Sequence, residues 1–439
     1  MRSTTEHDDL TNDPALEGRW TICALLFVAT TINYIDRQVL SILKPALSGA
    51  TLHLQPLFPG WPSIESSISL SDAQYGNVLA AFQIAYALGV VFAGRMVDRL
   101  GCRRGYPLVT GLWSLAAMGH ALVTSITGFV VARFFLGLGE SGNFPAAIKA
   151  TAEWFPQRER ALATGIFNSG ASVGAVLAPL AVPWVTLHFG WRASFLLTGI
   201  FSIVWIIAWL VHYRTPALHI VSSEVIGKHP VEPIAAWWSL LSHRQAWAFV
   251  LGKFLTDPVW WFFLFWLPQY FNSRFQTDLS HLGPPLVAVY AMSTVGSIWG
   301  GWLPKGFLRL GISMKSARLA AMLTCACLVV PVAFASAVQS LWGAVALLSL
   351  AAAAHQGWSA NIFTTTSDMF PKRHVATVVS FGQVSGALGG AIFQPLVGHV
   401  LQWTHSFAPL FLYSGFAYLG ALGVVCLLAP GLRAAHVAE

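Results

Sequence analysis

Residues Ser169–Leu180 read SGASVGAVLAPL and residues Ser385–Leu396 read SGALGGAIFQPL, so the pattern S-G-A-x-x-G-A-x-x-x-P-L occurs twice, 216 residues apart. Small residues at this spacing let helices approach closely, and a single match could be convergence on that geometry. Two more pairs make duplication the better reading. Phe155-Pro156-Gln157-Arg158 returns as Phe370-Pro371-Lys372-Arg373 after 215 residues, and Arg99-Leu100-Gly101 as Arg309-Leu310-Gly311 after 210. Three matches in one order, at nearly one spacing, indicate two related halves.

The composition says what solvent those halves face. Of 439 residues, 55% are hydrophobic and 10% charged, with 19 Trp and 29 Phe. A soluble domain carries roughly 25% charged residues, so most of this surface belongs in lipid. Apolar runs such as Ile200–Val211 and Leu341–Ala354 extend to the ~20 residues that cross a bilayer. Net charge is +7, but no soluble basic domain exists to bind nucleic acid, and none is expected as a partner. Cys23, Cys102, Cys325, Cys327 and Cys426 lie in or beside apolar stretches without metal-ligand grouping, and read as small hydrophobes. Residues 1–18 are polar and acidic and lack a signal peptide's basic start, which predicts a cytoplasmic tail.

Twelve helices are predicted: 19–46, 72–96, 106–124, 127–150, 160–187, 192–213, 245–272, 284–305, 316–336, 339–362, 376–401 and 406–429. The expected organisation is an all-α membrane protein with an N-terminal six-helix bundle (19–213), a cytoplasmic linker (214–244), a C-terminal bundle (245–429) and a tail (430–439). Residues 48–71, rich in Pro and Ser, form a first extracytoplasmic loop. Basic residues set the orientation. Arg99, Arg103, Arg104, Arg158, Arg160, Arg214, Lys228, Arg309, Lys315, Lys372 and Arg373 fall in loops on one side, against Arg192 and Arg274 on the other. The positive-inside rule then puts both termini in the cytoplasm.

Gly94–Arg104 (GRMVDRLGCRR) follows the second helix and resembles the loop signature of the major facilitator superfamily, G-x-x-x-D-R-x-G-x-R-R. The resemblance implies twelve spans in two pseudo-symmetric halves, with Gly94 permitting close helix contact and Asp98, Arg99 and Arg103 forming a charged conformational latch. Thr31–Arg37 (TINYIDR) and Arg133–Ser141 (RFFLGLGES) resemble the anion:cation symporter branch. Asn33–Pro45 (NYIDRQVLSILKP), Lys253–Tyr270 (KFLTDPVWWFFLFWLPQY) and His355–Pro371 (HQGWSANIFTTTSDMFP) are similar to bacterial hexuronate transporters.

Ionisable residues inside the spans are few: Asp36, Arg37, Arg133, Glu140, Lys253, Asp257 and His355. Each costs roughly 2.5–3.5 kcal/mol near the bilayer centre if charged, so each is paired or lines a wet cavity. Arg133 and Glu140 are seven apart and share a helix face, which permits a structural ion pair. Asp36 and Arg37 diverge by about 100° around the first helix. The resemblance to sugar-acid symporters implies that Asp36 and Glu140 are the protonatable pair, that Arg37 couples proton to substrate, and that Arg133 binds the carboxylate. A planar guanidinium suits that last role because it grips a carboxylate bidentately.

Tyr34, Tyr86 and Asn168 are candidate hydroxyl and amide contacts to substrate, though a lone Tyr in a span is as often packing. Lys253 and Asp257, at i and i+4, form an intrahelical salt bridge or serve substrate. Trp261, beside Trp260, is placed to stack on a sugar ring. His355, Gln356, Trp358, Asn361 and Gln383 concentrate polarity where lipid contact is unfavourable, and are read as cavity lining.

With these residues, the resemblance implies a proton-coupled importer of an anionic sugar acid, most simply a hexuronate, working as a monomer in the bacterial inner membrane with no cofactor and no metal. Its partners are a small carboxylate, protons and lipid. The alternative is a symporter of another organic anion (an aldonate, glucarate or aromatic carboxylate), and a drug antiporter is a further rival, since Gly165, Gly174 and Ala178-Pro179 approach the G-x8-G-x3-G-P pattern of that class. Two arginines in the cavity favour an anion over a cationic drug. No nucleophile motif suggests an enzyme.

Overall fold

The computed structural model describes residues 18–48, 69–214 and 238–435. The N-terminal tail, most of the first loop, most of the linker and residues 436–439 lie outside them. Thirteen α-helices follow among the described residues: α1 (Arg19–Ser48), α2 (Asp72–Leu100), α3 (Cys102–Gly119), α4 (Ile126–Glu140), α5 (Asn143–Trp154), α6 (Gln157–Phe189), α7 (Trp191–His212), α8 (Arg244–Phe275), α9 (Gly283–Arg309), α10 (Met314–Val329), α11 (Leu341–Met369), α12 (Lys372–Thr404) and α13 (Ala408–Leu428).

Twelve spans become thirteen helices because the predicted helix 127–150 is broken into α4 and α5. Pro145 explains the break: it has no N–H to bond the Ser141 carbonyl, and its ring crowds that turn. Serines start several of the others. Ser71 accepts from the Gln74 N–H while Gln74 reaches back to Ser71, a capping box that begins α2. Ser125 and Ser340 accept from the N–H groups of Gly128 and Gly343 to begin α4 and α11.

Eight stretches among the described residues are by themselves long and apolar enough to cross a bilayer. α1, α4 and α11 are not among them. In α1 and α11 the polar residues, Asp36 and Arg37 in one and His355 and Asn361 in the other, lower the hydropathy, whereas α4 is simply short at 15 residues.

The helices pack as two related halves. In the first half α6 packs on α1, α2 on α4, and α3 on α7; in the second α12 packs on α8, and α9 on α11. The repeated motif sits on α6 and α12, where each helix packs on the first helix of its half. A Cβ on Gly170 would stand 2.4 Å from the Phe27 carbonyl oxygen of α1, and one on its counterpart Gly386 would stand 2.1 Å from Asp257 Oδ2 of α8. Across the seam, α6 meets α9 and α12 meets α2. A two-fold operation exchanges those two contacts.

The halves are bonded to each other at the end where α1 finishes and α2 begins. Tyr75 donates its hydroxyl to the Phe265 carbonyl at 2.9 Å, and Gln269 Nε2 donates to Asp72 Oδ1 at 2.7 Å. Asp72 Oδ1 also accepts from Lys44 Nζ at 3.0 Å. Ser41 Oγ lies 3.4 Å from the Leu264 carbonyl. Pro268 accounts for that acceptor: lacking an N–H, it leaves the Leu264 carbonyl without its intrahelical partner.

Candidate transport site

Midway along α1 and α2, the side chain of Arg37 is buried at the seam. Its Nε donates to Glu140 Oε2 of α4 at 2.5 Å. Four rings surround the guanidinium, with Tyr34 and Tyr86 at 5.0 Å and Phe82 and Trp261 at 5.6 Å from Cζ to ring centroid. Three rings come from α1 and α2, and the fourth from α8 in the other half. Aromatic faces attract a cation most strongly where water is excluded. Phe82 was not legible as part of the site, although its i, i+4 spacing to Tyr86 puts both on one face of α2.

Arg133 is fully buried inside the first half and does not pair with Glu140. One amino group, Nη1, donates to the Arg37 carbonyl at 3.4 Å, while Nε and Nη2 have no hydrogen-bond partner. Asp36 points away from the seam, towards α7. It faces Thr198, whose hydroxyl donates instead to the Phe195 carbonyl at 3.1 Å, and neither carboxyl oxygen of Asp36 is in bonding geometry. The 100° divergence of Asp36 and Arg37 is therefore realised, with Arg37 at the seam and Asp36 within the first bundle. Unpaired buried polar atoms are rare in folded proteins and call for a functional account.

The other candidates separate into two groups. Tyr34, Tyr86, Trp261, Gln356 and Gln383 are partly exposed, and Asn168 is exposed. Lys253 forms the intrahelical bridge to Asp257 Oδ2 at 2.8 Å and sits 4.3 Å over the Phe363 ring. His355, Trp358 and Asn361 are instead packed into the second half. His355 shares a 2.5 Å hydrogen bond with the Tyr418 hydroxyl and stacks on Trp260 with an interplanar angle of 3°. Trp358 lies edge-on to Tyr418, and Asn361 Nδ2 donates to the Gly300 carbonyl at 2.8 Å. For Asn361 the reason is backbone contact between α9 and α11, whereas His355 and Trp358 are closed by α13 and α8. A Cβ on Gly300 would lie 2.1 Å from the Gly357 Cα, so this face of α11 is closed by a neighbouring helix rather than by a cavity.

The charged loop also differs from expectation. Asp98 pairs with Lys149 of α5 at 2.9 Å, inside its own half, and Lys149 also caps the Val97 carbonyl at the end of α2. Arg99 and Arg103 are exposed. A Cβ on Gly94 would meet nothing within 4 Å, so that glycine serves no close helix contact in this conformation.

Comparison with known proteins agrees with this architecture. A family model described as Major Facilitator Superfamily matches residues 26–394. The chain is 30% identical to a hexuronate transporter of Escherichia coli (strain K12), over 93% of this chain and 94% of the relative. It is 31% identical to a galacturonate transporter of Dickeya chrysanthemi, over 66% of this chain and 82% of the relative. Among solved structures, a bacterial homologue of the human lysosomal transporter Spinster, inward-facing and unoccupied, superposes with a TM-score of 0.69. It is 18% identical and covers 96% of this chain and 97% of its own.

Proposed function

We propose, from the premise that this chain belongs to the Major Facilitator Superfamily, that it imports an anionic sugar acid, a hexuronate first of all, together with protons. It is a multi-pass inner-membrane transporter and not an enzyme. The substrate class is supported by the hexuronate and galacturonate transporters it resembles.

One observation carries the coupling mechanism: the Arg37 guanidinium is already occupied by a carboxylate, Glu140, at the seam between the halves. A proton on Glu140 cancels its charge and releases Arg37, and Asp36 is the second proton acceptor. The free Nε and Nη2 of Arg133 form one edge of a guanidinium, the geometry that takes both oxygens of a carboxylate. That edge would meet the substrate when the first half relaxes around it.

With the orientation that the basic loops support, the bonded end near Ser71 faces outward, and the bonds across it close the outer side. Rocking of the halves about the Arg37 level would then alternate access. Uptake of labelled glucuronate, galacturonate, aldonates and aldarates into proteoliposomes, with and without an inward proton gradient, tests this directly. Gradient-driven accumulation of a sugar acid is expected. Uptake indifferent to the gradient would remove the coupling, and no uptake of any member would remove the substrate class.

A further inference from the structure

Gln83 lies on α2 between Phe82 and Tyr86, the two rings that this helix contributes around Arg37. Its side chain is fully buried, yet neither Oε1 nor Nε2 has a hydrogen-bond partner. An amide in that condition forfeits the bonds it made to water. A methionine of the same length would fill the space without that loss, so packing does not explain the residue.

Its neighbours lie in the opposite half. A Cβ on Gly390 of α12 would stand 3.2 Å from Gln83 Cδ, 3.3 Å from its Nε2, and 3.1 Å from Cδ1 of Trp261. Gly390 is the repeat counterpart of Gly174. At Gly174 the missing Cβ makes room for the Thr31 carbonyl oxygen, which would stand 2.4 Å away. At Gly390 the same absence makes a niche shared by a cross-seam amide and the α8 ring of the arginine site. The second half thus uses its glycine to seat Gln83 against Trp261, at the depth of Arg37.

We infer that Gln83 is a specificity-determining residue of the transport site that reads the ring hydroxyls of the substrate. When α2 and α12 part, the amide leaves its niche beside Trp261 and presents one donor and one acceptor. Neighbouring hydroxyls of a sugar offer the matching acceptor and donor, while the carboxylate is held by an arginine. This assignment rests on the sugar-acid reading above, and adds the group that distinguishes a polyhydroxylated acid from a plain carboxylate.

The test is titration of purified protein with galacturonate, glucuronate and cyclohexanecarboxylate, which keeps a six-membered ring and a carboxylate but has no hydroxyls. Gln83→Met is expected to weaken both hexuronates about tenfold or more, the scale of one lost hydrogen bond, and to leave cyclohexanecarboxylate unchanged. Gln83→Asn, which keeps a shorter amide, should fall between. The thermal midpoint of Gln83→Met should be no lower than that of the wild type. Unchanged hexuronate binding, a parallel loss for all three ligands, or a lowered midpoint would each overturn the inference and leave sugar-acid transport standing. Failure of the wild type to bind either hexuronate would overturn both.

Discussion

Arg37 and Glu140 are joined at 2.5 Å although 103 residues separate them in the chain. The pair ties α1 to α4 beneath a ring of aromatics supplied by both halves. Removing one member of a buried pair strands the other, typically at about 3–5 kcal/mol, whereas neutralising the acid by a proton is reversible. A group whose charge can be withdrawn in this way suits coupling.

Glu140→Gln and Asp36→Asn should each abolish proton-driven accumulation, while counterflow exchange survives in at least one. Uptake by proteoliposomes with an imposed gradient measures the first, and exchange without a gradient the second. Full accumulation in the double variant would exclude both carboxyls from coupling.

Arg133→Lys should weaken hexuronate binding by roughly 10-fold or more although the charge is kept. Lysine cannot present the two parallel donors of the free guanidinium edge. Calorimetric titration with glucuronate reads the effect. Affinity near that of the wild type would pass the carboxylate to Arg37 or Lys253.

Pro268→Ala restores an N–H opposite the Leu264 carbonyl and withdraws the acceptor that Ser41 reaches. Together with Gln269→Leu, which removes the bond to Asp72, it should open the Ser71 end more often. Labelling of a cysteine introduced near Tyr75 by a membrane-impermeant reagent should therefore quicken. An unchanged rate would show that these bonds do not hold the end shut.

Asp98→Asn should leave stability within about 1 kcal/mol, because its bridge to Lys149 is largely exposed. A shift in the balance of inward and outward states is expected from the loosened contact between α2 and α5, read by cysteine labelling on each side. Lost transport with an unchanged labelling pattern would count against a conformational role.

Asn361→Leu should lower stability by about 1–3 kcal/mol, since the Gly300 carbonyl loses its donor in a closely packed interface. Hexuronate affinity of the folded fraction should be unchanged, because the amide faces α9. A selective loss of affinity with unchanged melting would return Asn361 to the binding site.

Long apolar runs, two copies of a glycine motif and a bias of basic loops are local properties, so the spans, the duplication and the family were all legible in the sequence. The break at Ser141–Gly142 was legible too, in Pro145, had the missing N–H been counted. The sequence also named the charged residues, because an ionisable group within an apolar run stands out by cost alone. Which charges meet was decided only by the tertiary structure. Seven-residue spacing allowed Arg133 to face Glu140, yet Glu140 pairs with Arg37 of another helix, and Asp98 with Lys149. Likewise the polarity of α11 was visible, but not that Tyr418 of α13 and Trp260 of α8 close over His355 and Trp358 while α9 takes Asn361. In helices apolar on nearly every side, periodicity does not fix rotation about the axis or the register of one helix against the next. Those two quantities are set by where glycines let backbones touch, and they determine which polar groups reach the seam and which are buried within a half.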